Sequence, residues 1–448
     1  MVSALDARGF GMKKIPKLPI IIGAVFILAL IVVIASTIVL RKTELMHIEA
    51  QLEGKFKDRT DASFVGSDTC KKCHERRYLE WTTSLHSRMM RDARLEKGAN
   101  IGDFRMPNNV RTFTIEDIDF VLGSQWKQQY LKKEGDEITV LPAQYNVVTG
   151  EWIPYFSDEP AKRNWFKECA GCHATGVDPV KKKYVEMGIG CEACHGPGSN
   201  HAEAVPGFEI QTIIQAGRLT PFLAAQICGS CHTRGRDPSG KYGYPVDYQT
   251  RKGEGNIRLY FNEASPDNGD DSEYFWPSGE SKYSNQQYLD WRQSEHAKVG
   301  VVCVTCHNVH SSKSTLISTE AQGAGGLVDA IISKTRLFED RLCKSCHTTF
   351  QYRYTHGIHS FGSCVRCHMP RVARIGEAGD AHSHTFRFMY PEASIKAGGI
   401  NKQPNACNSC HHHKDKPPED LVGFMEAAKK NDMPIPFTVH QGSAVIRR

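Results

Sequence analysis

The 448-residue sequence has no cysteine to spare. All sixteen fall into eight pairs with two residues between the members, and no pair lacks a histidine directly after its second cysteine. That excludes the ordinary readings of paired cysteines, because neither a disulfide framework nor a four-cysteine zinc site requires the histidine. With 20 histidines in the chain, chance would put one behind all eight pairs on the order of once in ten to the eleventh. The chain is also short of residues. From Gly66 to His413 each pair has about 43 residues to itself, too few for an ordinary core around each. Ile20 to Leu40 has no charge at all, and after Pro417 there is no cysteine.

What is present is CxxCH, repeated. Two thiols separated by two residues can add to the two vinyl groups of one haem, and the following histidine is placed to ligate its iron. The units are Cys70-Cys73-His74, Cys169-Cys172-His173, Cys191-Cys194-His195, Cys228-Cys231-His232, Cys303-Cys306-His307, Cys343-Cys346-His347, Cys364-Cys367-His368 and Cys407-Cys410-His411. They predict eight covalently bound c-type haems, whose porphyrins form much of the core. The 38 glycines and 21 prolines suit a loop-rich wrapping of that kind. Gly188 to His201 shows the plan in compact form: a CxxCH unit, the turn-forming Gly196-Pro197-Gly198-Ser199, and a further imidazole at His201 free to reach a neighbouring haem.

Formal charge is +6, but sixteen propionates and eight oxidised iron porphyrins would bring it to about −2. Many Lys and Arg side chains are therefore expected to partner propionates, and nucleic acid is not an expected partner. Arg8, Lys13, Lys14 and Lys17 precede the uncharged stretch, so the positive-inside tendency leaves the N-terminus in the cytoplasm and sends the remainder across. The apolar run continues past the small residues near Ala35, which favours an uncleaved anchor over a signal peptide. The expected order is a basic N-terminus (1–19), a transmembrane helix (20–40), a tether (41–65), an octahaem cytochrome domain (66–413) facing the periplasm or exterior, and a tail (414–448).

The fold class expected is mainly α with little regular secondary structure. Trp126 to Leu131 and Ile138 to Val148 read as a small β-hairpin insertion. Glu75 to Met90, carrying His86, and Gln286 to Lys298, carrying His296, read as helices. Asp420 to Lys430 reads as a short amphipathic helix.

Twelve histidines lie outside the motifs. His47 is juxtamembrane, His440 lies in the tail, and His412 and His413 follow a motif histidine too closely to cross its ring. That leaves eight for eight haems: His86, His201, His296, His310, His356, His359, His382 and His384. Equal numbers suggest bis-histidine coordination, with no open iron for a substrate. His86, His201, His296 and His310 also fit a propionate hydrogen bond. One member of His356/His359 or of His382/His384 may instead stand near an iron as a proton donor, so an open haem is expected between Cys346 and Cys407, if there is one.

The segment Phe64 to Cys70 leading into Cys73-His74, with Tyr78, Trp81 and Ser84-Leu85-His86, resembles the opening of the multihaem cytochromes c grouped with the tetrahaem electron carrier of ammonia oxidisers. Cys191 to Ser199, and Cys364 to Pro370 followed by His384-Thr385-Phe386-Arg387, are similar to the same group. The resemblance implies closely stacked haems and, position by position, distal ligands at His86, His201, His296, His310, His359 and His384. The group also contains hydroxylamine oxidoreductase-like proteins and octahaem nitrite and tetrathionate reductases. This chain has no CxxCK, the reductase variant with lysine as proximal ligand. The function expected is electron transfer between a membrane donor and an outside acceptor, with a quinol dehydrogenase or other cytochromes as redox partners and homo-oligomers open. The alternative is conversion of a small nitrogen or sulfur compound at one five-coordinate haem.

Overall fold

The computed structural model describes residues 17–54, 57–311, 339–347, 364–376, 378–410 and 413–430. The uncharged stretch lies in one helix, α1 (Lys17–Leu52). Its Val25–Met46 segment is long and apolar enough to cross a membrane, and none of it is buried. The helix runs past Leu40 to Leu52, so the expected tether is helical over about its first half.

A second helix, α2 (Ser67–Trp81), starts earlier and stops sooner than the expected Glu75 to Met90. It starts early because one helical turn brings Cys70, Cys73 and His74 to one side. It stops because Thr82 and Thr83 turn their hydroxyls onto the carbonyls of Leu79 and Glu80, a local bond that competes with helix propagation. His86 therefore sits in a turn, and Met90 already belongs to a strand.

The expected hairpin is the middle of a larger antiparallel meander of β1 (Met90–Asp92), β2 (Phe120–Leu122), β3 (Lys127–Glu134), β4 (Glu137–Asn146) and β5 (Glu151–Pro154), paired in that order. Between Gln129 and Leu131 the register shifts: Gln129 pairs with Gln144 but Leu131 with Val140. The extra residues on β4 include Pro142, which a bulge tolerates and a regular central strand does not. The bulge lets Ile138 and Val140 face one side while Leu141 and Ala143 face the other. One face closes over an aromatic core with Phe113, Tyr130 and Trp152. The other packs Phe120, Leu122, Leu131 and Val140 against Trp165, Phe166, Cys169 and Ala170, so the sheet is a platform for the second CxxCH unit.

Most of the remaining motifs lie on or at the end of short helices, Ala170–His173, Cys191–His195, Pro221–Gly229, Cys303–Cys306, Glu339–Cys346 and Cys364–His368, whereas Cys407 lies in a turn and Cys410 in the bend after it. The expected helix from Gln286 is two, Gln287–Arg292 and Glu295–Lys298, because Ser294 ends one and caps the next by accepting from Ala297 N at 3.2 Å. Near the C-terminus Pro418–Lys430 is helical, close to the expected span.

Candidate functional site

The histidines come together in pairs drawn from distant parts of the chain. His74 and His201 lie ring to ring with centroids 6.2 Å apart, His195 and His310 at 6.3 Å, and His307 and His384 at 6.2 Å. His86 faces His232 at 6.4 Å and His296 faces His347 at 5.9 Å. Each pair joins one motif histidine to one spare histidine. An iron held by two imidazole nitrogens at about 2.0–2.1 Å, a typical metal–imidazole distance, requires ring centroids roughly 6.4 Å apart, so these pairs fit a haem iron between them.

Backbone and side-chain acceptors orient the rings. His195 Nδ1 lies 2.8 Å from Ile214 O, His201 Nδ1 3.0 Å from Glu209 O, His232 Nδ1 3.1 Å from Gln287 Oε1, and His384 Nδ1 3.1 Å from His382 O. An Nδ1 proton donated in this way leaves Nε2 as the free base that a metal takes. Burial first, and the facing imidazole second, push the pKa of His86 and of His384 down to about 4. Neutral rings are the ligating form.

His384 thus faces His307, and the idea of it as a surplus proton donor gives way to a pairing across 77 residues of chain. His382 is held by Met369 O and by Arg371 Nε, which lies 3.3 Å from its Nε2. His356, His359 and His411 lie outside the described residues. His368 is described, on the helix Cys364–His368.

His173 differs in that no histidine ring stands opposite it among the described residues; it is half-buried, and its Nδ1, like that of His296, has no hydrogen-bond partner there. Its pKa is pushed down to about 4, by burial first and then by the charge of Lys127. Lys127 opens β3 on the face that carries Leu131, toward the second motif, and burial lowers its own pKa to about 8. Tyr155, whose phenol is pushed up by burial, acts on Cys169 and bonds to Gln129. Arg234, two residues after His232, stacks on Tyr274 at 4.9 Å and on Tyr283 at 4.8 Å, with its Nε buried and unpaired. Sequence reading missed Lys127, Tyr155 and Arg234, since only the sheet brings Lys127 to a motif 42 residues away.

The attachment points also meet. Cys70 lies beside Cys191, Cys172 beside Cys231 and Cys228 beside Cys303. Cys194 lies near Cys231, Cys306 near Cys343, and Cys367 near Cys407 and Cys410. The second and fourth motifs dock reciprocally: Cys172 Sγ lies 3.9 Å from Ser230 O and Cys231 Sγ 3.8 Å from Gly171 O.

This fold and this set of paired imidazoles behind CxxCH units define a multihaem c-type cytochrome. The family described as cytochrome c554 and c-prime matches residues 69–112 and 155–196, which hold the first three motifs. Cytochrome c-554 of Nitrosomonas europaea is 24% identical over 193 residues, covering 38% of this chain and 58% of that protein. The dissimilatory sulfite reductase MccA of Wolinella succinogenes is 22% identical over 273 residues, covering 56% of this chain and 34% of that protein. The match thus spans about a third of the reductase and somewhat over half of cytochrome c-554. The crystal structure of the outer cell wall cytochrome OcwA superposes with a TM-score of 0.62 at 22% identity, covering 82% of this chain and 88% of that one. Over these residues the chain is similar to the multihaem cytochromes c of the cytochrome c-554 group.

Proposed function

We propose that this protein conducts electrons between a membrane donor and a periplasmic or extracellular acceptor through eight haems, one on each CxxCH unit, anchored by α1. The observation that carries the reading is the set of five imidazole pairs at iron-bridging distance. An iron with two histidine ligands has no position for a substrate, and what it supplies when bound is exchange of single electrons. The chain's part is to hold the rings, exclude water and set haem spacing. The neighbouring cysteines support closely stacked haems in a run from the first motif through the third, fourth and fifth to the sixth, with the seventh and eighth together and the second as a branch on the fourth. Intact-mass spectrometry tests the reading: eight haem additions are expected, and fewer would mean that some cysteine pairs serve another purpose.

One observation favours a second reading, in which the iron at Cys169–His173 keeps an open position and acts on a small nitrogen or sulfur oxyanion. His173 has no facing histidine among the described residues, and Lys127, Arg234 and Tyr155 gather around that motif. The two cations would hold an anion and the phenol would deliver a proton. The name of the sulfite reductase relative agrees with that class of substrate. Sulfite or nitrite should perturb a high-spin signal in the parent and do so more weakly in Lys127→Met. A protein with no high-spin iron disposes of this reading.

A further inference from the structure

Lys252 is 4% exposed, a rare burial for a lysine. Its Nζ donates to Ser230 Oγ and lies 5.1 Å from the Tyr248 ring centroid, with both neighbours buried. No carboxylate pairs with it among the described residues. The ammonium has three donors and no acceptor, so one hydroxyl and one ring leave it undersatisfied. Burying such a group costs several kcal/mol unless opposite charge is brought to it.

Its position explains why it is kept. Ser230 lies between Cys228 and Cys231, and the charge of Lys252 acts on the sulfurs of Cys172, Cys194 and Cys231. These belong to the second, third and fourth motifs, which meet only here. The bland role, a stem filling space beside Ser230, would be met by methionine without burying a charge.

We propose that Lys252 raises the reduction potentials of the haems on the second, third and fourth motifs, making their junction the place where electrons collect before passing to the branch or along the run. Reduction adds one electron to a ferric iron and lowers the charge of that site by one, with no bond made or broken. A fixed cation nearby favours the reduced form, most strongly where water is excluded. Lys252 is a positioning residue for charge and touches no iron.

The inference rests on haem attachment at those three motifs. The test uses full-length protein, with haem counted by intact mass and potentials followed by electron paramagnetic resonance during redox titration. Lys252→Met should load fully and keep its low-spin signals. At the parent midpoint, the oxidised-to-reduced ratio of at least one haem should rise about tenfold, a negative shift of about 59 mV for one electron. Lys252→Arg should restore the parent curve. A fully loaded Lys252→Met with an unmoved titration overturns the proposal, as does a shift that arginine does not reverse. Should methionine prevent loading, Lys252→Gln is read in the same way, and failure of both neutral variants to load shows a structural duty and also overturns it. A parent protein short of eight haems counts against the attachment reading instead.

Discussion

An imidazole can ligate iron when one nitrogen is tied down and the other is free, and the residues that arrange this are as specific as the ligands. His201 shows the arrangement within a few residues: Gly196 with φ +75° turns the chain, and Glu209 O takes the Nδ1 proton. His201→Ala is expected to convert a single iron, that of Cys70–His74, from low-spin to high-spin, seen by electron paramagnetic resonance with haem content unchanged. A conversion at a different haem would show that the pairing is wrong. Glu192 works at the same scale. It is 1% exposed, sits between Cys191 and Cys194, and accepts from the backbone of Val65, Gly66 and Gly198. Its loss leaves one buried donor at Gly198 and two part-buried donors at Val65 and Gly66 without their acceptor, so Glu192→Ala should lower stability by about 2–3 kcal/mol, measured by chemical denaturation. A change under about 1 kcal/mol would mean that water replaces the carboxylate.

At the scale of elements, the close approach of motif helices to aromatic side chains decides where the haem-bearing turns sit. A Cβ on Gly171 would lie 2.0 Å from Tyr244 Cδ2, and one on Gly229 2.7 Å from Tyr288 Cγ. Gly171→Ala is therefore expected to cost about 1–3 kcal/mol of stability and to disturb the spectrum of the second-motif haem before the others. Thermal unfolding with optical spectra checks both, and an alanine variant as stable as the parent would show that Tyr244 moves aside freely. The motifs and the spare histidines that face them were legible because each carries its chemistry in the residue type. Their pairing was less legible, since His86 meets His232 and His307 meets His384 only after long segments fold between them. The open position was expected between Cys346 and Cys407, where the spare histidines crowd, and His356 and His359 of that region lie outside the described residues. Among the described residues no ring faces His173, and the sheet beside its motif was visible only as a hairpin because β1 and β2 are three residues each.

For the molecule as a whole, the proposed anchoring rests on one apolar helix among the described residues, Val25–Met46 within α1. Fractionation should recover the full chain in membranes and release it with detergent, whereas a chain whose residues 1–52 are replaced by a cleavable export signal should be loaded with haem and soluble. Recovery of the full chain in the soluble fraction, with a new N-terminus near Ser36, would assign the helix to a cleaved signal. The central claim concerns the motif histidines behind it: five of them face a spare imidazole at iron-bridging distance, and the irons proposed between those pairs are bis-histidine and low-spin. Spin quantitation by electron paramagnetic resonance on fully loaded, oxidised protein measures this directly. The account expects at least five low-spin irons per chain, and under the second reading a high-spin signal that His173→Ala removes or alters. Fewer than five low-spin irons per chain would contradict it, because five imidazole pairs stand at iron-bridging distance.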